Sequence, residues 1–166
     1  MKAEELRQLQ APLKARYKED PGAALITLRA SGELGDGSLT CKVETGRALV
    51  EAGLHPATGG NGLSACSGDM LLEALVACAG VTLRSVATSL EIPVSGAVRA
   101  EGDLDFRGTL GVDKETPVGF TAIRLLFDRE HDASDEQIDK LLELTRRYCV
   151  VYQTLAGGVP VELGLG

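Results

Sequence analysis

The chain has 166 residues, 44% of them hydrophobic and 25% charged, values that fit one globular domain with one core. A net charge of −7 argues against a general nucleic-acid binder and against docking on an anionic membrane, because both need a positive surface. No apolar run reaches the roughly 18 residues needed to cross a bilayer, and Met1-Lys2-Ala3-Glu4-Glu5 lacks the apolar stretch of a signal peptide. These features point to the cytoplasm. There Cys41, Cys66, Cys78 and Cys149 stay reduced, as core residues, metal ligands or redox groups.

In chain order, residues 3–18 read as a helix through Leu6, Leu9 and Leu13, interrupted by Pro12. Asp20-Pro21-Gly22 is a turn, Ala24 to Arg29 a strand, Gly35-Asp36-Gly37 a hairpin signal, and Leu39 to Glu44 a second strand. Residues 46–66 read as a loop. Its glycines at 59, 60 and 62 would suit phosphate, but no Gly-Lys-Ser/Thr follows and a Walker A loop is excluded. Ser67 reads as the N-cap of a long helix, with Asp69 favourably placed in its first turn. Leu71, Ala74, Leu75, Cys78, Val81, Thr82, Ser85 and Val86 share one face of it. From Leu71 to Val81 the helix is nearly apolar all round, which predicts burial, and Ala77, Ala79 and Gly80 allow close neighbours. It ends before Pro93. Strands follow over 94–106 and 119–128, with a polar loop from Gly108 to Pro117 between them. Ser134 and Gln137 form a capping box for a second helix carrying Ile138, Leu141, Leu142, Thr145 and Cys149 on one face. Val159 to Leu163 reads as a closing strand.

The residues that carry chemistry are few. Cys78 lies in the middle of the apolar helix, and Cys149 ends the second helix. Arg146, three residues earlier, is on the same face, where a guanidinium favours the thiolate. No Cys-x-x-Cys motif exists. Cys66 and Cys78 are twelve apart and the histidines are only His55 and His131, so zinc is poorly served and no cofactor or metal is expected. His55, before Pro56, reads as a loop residue and His131 as part of a solvated turn, which leaves few bases for a Cys-His hydrolase. Cys66, beside the helix start, is an alternative redox partner, and Cys41 reads as core.

The run Ser67-Gly68-Asp69-Met70-Leu71-Leu72-Glu73-Ala74-Leu75-Val76-Ala77-Cys78 resembles the central-helix signature of the OsmC/Ohr family, the osmotically inducible and organic hydroperoxide resistance proteins. Arg147-Tyr148-Cys149-Val150 and Thr154-Leu155 resemble its second signature, and the resemblance spans about residues 23–163. It implies an α+β fold with antiparallel sheets around a long central helix, built as an intertwined homodimer. Residues 1–20 would be an N-terminal helical extension and 21–166 the OsmC-like domain. It further implies that Cys78 attacks an organic hydroperoxide, that Cys149 resolves the product as a disulfide, and that a dithiol reductant reopens it. Peroxidase members pair an arginine from the first strands with a glutamate at the helix start. Here Arg29, or Arg47 further on, stands for the arginine, while Gly68 occupies the glutamate position with Asp69 next to it. That departure raises a second reading, an OsmC-like protein that binds a small apolar or thiol-containing ligand at its dimer interface.

Overall fold

The computed structural model describes residues 2–19, 31–34, 40–44, 49–111, 113–130 and 133–165. The elements in order are α1 (Ala3–Glu19), β1 (Ser31–Leu34), β2 (Thr40–Glu44), β3 (Leu49–Gly53), a 3-10 turn (Pro56–Thr58), β4 (Ala65–Cys66), α2 (Ser67–Leu90), β5 (Ser95–Leu104), α3 (Phe106–Thr109), β6 (Phe120–Glu130), α4 (Asp135–Tyr148) and α5 (Val150–Gly157). By internal contacts the chain forms two compact units, 1–24 with 74–99 and 125–166, and 25–73 with 100–124. Helix α2 and strands β5 and β6 run through both.

In the first unit, α1 continues unbroken through Pro12, and Arg7 pairs with Glu91 at 3.5 Å. The core gathers Ala87, Ile92, Ile138 and Leu141, with Val86, Val94 and Ala133 packed against them. Helix α4 supplies Ile138, Leu141 and Thr145 at helical spacing, and its start is the expected capping box. The Gln137 N–H donates to the Ser134 hydroxyl at 3.3 Å and the Ser134 N–H to the Gln137 side chain at 2.9 Å. Each bond satisfies a peptide group that the helix end would otherwise leave open.

In the second unit, β1, β2 and β3 form an antiparallel meander in the register Leu34↔Cys41 and Thr40↔Gly53, and β4 adds to β3 in parallel. The hairpin is thus present, pairing Ser31–Leu34 with β2; the strand expected over Ala24 to Arg29 lies outside the described residues. Strands β5 and β6 pair in a separate two-stranded sheet. Across it Arg124 holds Asp103, with Nη2 to Oδ1 at 2.8 Å, and Glu101 at 3.2 Å. Phe120 packs where Gly68 and Gly102 leave room: a Cβ at Gly102 would lie 2.5 Å from the ring.

Several expectations are corrected. The segment 46–66 is not all loop, because β2 offers Leu49–Gly53 a ladder partner that local sequence cannot reveal. The polar segment after β5 opens with the short helix α3, whose N-cap is Asp105. Val159 to Leu163 forms no strand and has no ladder partner among the described residues. Helix α2 is not buried all round: only Leu75, Ala79 and Ala87 are fully covered, while Val81 is 72% exposed. It is also long and apolar enough to cross a membrane by length and composition, with a mean hydropathy of 1.6 over 18 residues of which 17% are buried. Its charges are spread too thinly to lower the average, which a search for uninterrupted apolar runs overlooks.

Leu141 is 1% exposed. Leu141→Ala is expected to cost about 2–5 kcal/mol, as a large-to-small change at a packed site does. Gly102→Ala, forced against Phe120, should cost about 1–3 kcal/mol. Urea unfolding followed by circular dichroism measures both.

Candidate active site

Cys78 sits on α2 and Cys149 at the junction of α4 and α5, both in the first unit. Cys149 is not the last face residue of α4, as its helical spacing suggests. It leaves helical geometry, with φ −74° and ψ 109°, and caps both helices at once. Its N–H donates to the Thr145 carbonyl at 2.9 Å, closing α4. Its sulfur accepts the Tyr152 N–H at 3.5 Å, and its carbonyl accepts the Gln153 N–H at 2.9 Å, opening α5. Gln153 Nε2 returns to the Arg146 carbonyl at 2.7 Å and braces the break.

Cys78 and Cys149 influence each other's ionisation, and both are free thiols. Burial works against ionisation at both. At Cys78 it is outweighed by the N–H of Val151, the Cys149 thiol, the N–H of Val150 and the Thr82 hydroxyl, and the thiol is held below its ordinary value. At Cys149 burial prevails, reinforced by donation to Cys78 and by the charge that Cys78 carries, and the thiol is pushed up. Cys149 is 0% exposed, whereas Cys78 is half-buried. The expected thiolate preference of Cys149 beside Arg146 is therefore reversed. Arg146 lines the same small cavity, about 190 Å³, but burial and the Cys78 charge decide the titration. The pair thus consists of one accessible sulfur disposed to ionise and one enclosed sulfur disposed to stay protonated.

Beside the pair lies a larger apolar cavity of about 610 Å³, walled by Leu83, Val98, Leu126, Phe127 and Ile138 among others. It shares Leu125, Phe127 and Leu142 with the small cavity that reaches Cys149.

Of the remaining expected site residues, Arg29, Arg47 and His131 lie outside the described residues. Asp69 is nine residues before Cys78 on the same helix, about 13–14 Å along the axis and half a turn round. It lies in the first turn of α2, where its charge favours the helix dipole. A Cβ at Gly68 would meet the Phe120 ring at 3.4 Å, an ordinary van der Waals contact. Cys66 is half-buried in β4, in the other unit, with its sulfur next to Gly68. Cys41 stands in β2 opposite Ala52. His55 accepts the Ala57 N–H on Nδ1 at 3.0 Å and stacks on Phe106 at 4.9 Å, a turn-stabilising role. Sequence reasoning misses the double cap at Cys149, because no residue type there signals the break between α4 and α5.

The sequence profile of OsmC-like proteins matches residues 59–164. No curated protein matches the chain. Solved structures similar to it include an OsmC-like protein from Mycoplasma pneumoniae, 17% identical, with a TM-score of 0.65 over 80% of this chain and 89% of that one. An organic hydroperoxide resistance protein from Legionella pneumophila is 18% identical, with a TM-score of 0.62 over 81% and 93%. The organic hydroperoxide resistance protein OhrB of Bacillus subtilis is 19% identical, with a TM-score of 0.56 over 85% and 98%. At these identities the structures speak for the fold, and the profile match covers most of the chain. With the α+β architecture, the long α2 carrying Cys78 and the Cys149 junction in place, this chain belongs to the OsmC-like protein family.

Proposed function

We propose that the protein is a thiol peroxidase that reduces organic hydroperoxides in oxidative stress defence. The observation that carries this reading is two free thiols that act on each other with opposite tendencies, Cys78 lowered and Cys149 raised. A thiolate is the nucleophile that a peroxide oxygen needs. The Cys78 sulfur attacks one oxygen of the hydroperoxide and the O–O bond breaks. A sulfur–oxygen bond forms, and the alkoxide leaves as alcohol after taking a proton. The sulfenic acid on Cys78 then meets Cys149, still carrying its proton. The sulfur–sulfur bond forms as the hydroxyl leaves with that proton as water. An external dithiol reductant reopens the disulfide by exchange and is itself oxidised to a disulfide. Apolar walls beside the pair favour hydroperoxides with an organic chain. Arg29 is proposed as the side-chain cation of the site, and the cytoplasm, where thiols are kept reduced, as its location.

The working form is proposed to be an intertwined homodimer. Val81 on α2 is 72% exposed, and Val161, Leu163 and Leu165 of the unpaired tail are 88%, 102% and 106% exposed. Alternating apolar residues on an extended segment are what a strand needs to join a sheet. A second copy of the chain offers both a cover for α2 and an edge for the tail.

A second reading is supported by the cavity of about 610 Å³ together with Gly68 in place of the family glutamate. It is a catalytically slow protein on the same fold that holds a small apolar or thiol-containing ligand.

Cumene hydroperoxide added to reduced protein is expected to remove two thiols per chain rapidly, and Cys78→Ser to abolish the loss. With Cys149→Ser, one thiol should be lost and a sulfenic acid trapped by dimedone. Thiols that survive millimolar peroxide would leave the binding reading. Light scattering on the full chain is expected to give twice the chain mass, and Leu163→Asp with Leu165→Asp to lower it toward one chain.

A further inference from the structure

A threonine inside a helix can return its hydroxyl to the carbonyl one turn earlier, which keeps a buried oxygen satisfied. Thr82 does so to the Cys78 carbonyl at 2.8 Å, and Thr88 to the Arg84 carbonyl at 2.7 Å. Thr145 of α4 does not. It is 2% exposed, and its Oγ1 is buried with no hydrogen-bond partner among the described residues. Such a group loses its water without a replacement, so an orphaned hydroxyl in a packed helix face calls for a physical reason. Thr145 lines the small cavity of about 190 Å³ together with Cys149, one helical turn further on. Leu125, Phe127 and Leu142 line that cavity too, and they also line the apolar cavity of about 610 Å³. All these residues belong to one compact unit. A large apolar space thus adjoins a small one whose wall carries an unpartnered hydroxyl and a thiol.

We propose that Thr145 is the polar anchor of the substrate pocket: its hydroxyl bonds the oxygen-bearing end of an organic hydroperoxide, or of the alcohol it leaves, while the organic body lies in the apolar cavity. A ligand that suits both spaces has an apolar body and one end that hydrogen-bonds, and both molecules have that form. The hydroxyl donates and accepts, so it can pair with either oxygen-bearing end. A site built this way selects against a hydrocarbon of the same shape, which would leave the buried hydroxyl orphaned. The identity of the ligand rests on the peroxidase reading, whereas the orphaned hydroxyl and the two cavities do not.

Thr145→Val removes the hydroxyl and keeps the shape of the side chain. Because the oxygen has no partner, the urea midpoint of the reduced variant is expected to equal or exceed that of the wild type. Binding is read with two unreactive probes. Cumyl alcohol is what cumene hydroperoxide leaves on reduction, and tert-butylbenzene carries a methyl group in place of its hydroxyl. Amide NMR titrations of the reduced full chain give both affinities. Cumyl alcohol is expected to shift the Thr145 and Cys149 resonances of the wild type, and to bind Thr145→Val about three- to tenfold more weakly, the scale of one neutral hydrogen bond. The hydrocarbon should bind the variant at least as well as the wild type, a contrast that general damage to the pocket would not give. A lowered urea midpoint means that the hydroxyl already has a structural partner, and it overturns the proposal. So does cumyl alcohol binding that is absent from the wild type or indifferent to Thr145→Val, and so does an equal loss of both probes. Thiol loss on adding cumene hydroperoxide decides the peroxidase reading separately. Inert thiols with the expected alcohol binding retain Thr145 as the anchor of a binding protein, whereas reactive thiols with alcohol binding indifferent to Thr145 sink this inference alone.

Discussion

Cys149 ends one helix with its N–H and begins another with its sulfur and carbonyl, and the site depends on that double cap. Were α4 to continue without a break, the peptide N–H groups after residue 149 would be spent inside it, each on a carbonyl four residues earlier. The break releases them, and that of Tyr152 turns to the Cys149 sulfur. The cost is small, because Cys149 is fully enclosed and its own peptide groups remain paired on both sides.

The asymmetry of the thiols follows from the same geometry. Both sulfurs lose water, which by itself would keep both protonated. Only Cys78 faces enough donors to overcome that loss, one of them being the proton of Cys149. Each cysteine thus shifts the other, Cys78 down and Cys149 up, and the proposed order of attack and resolution rests on that asymmetry. No separate base is needed to establish this order, and His55 is occupied elsewhere, with its turn and the Phe120-lined unit's Phe106.

Helix α2 carries two demands on one element. The Leu75, Ala79 and Ala87 face belongs to the chain's own packing, while Val81 and its neighbours look outward. A helix this apolar with so little cover costs solubility unless something seats on it. The proposed dimer would meet that cost, covering α2 and the alternating tail by the same operation.

Much of this was legible in the residues themselves. The capping box of Ser134 and Gln137, the α2 helix and the β5 and β6 strands follow from caps and periodicity, which are local signals. The importance of Cys78 and Cys149 came from resemblance, since isolated cysteines in apolar helices say little alone. Local sequence could not reveal β3, which exists because β2 offers it a ladder, nor the absence of a strand at Val159 to Leu163, which lacks one. It also misjudged Cys149, whose spacing fits the α4 face and whose neighbour Arg146 suggested a thiolate. Only the tertiary structure decided that α4 stops there, because the balance between one continuous helix and two capped ones turns on what the freed N–H groups meet. Here the junction also answers to Cys78, seventy-one residues before Cys149 in sequence and able to shift its ionisation only after folding.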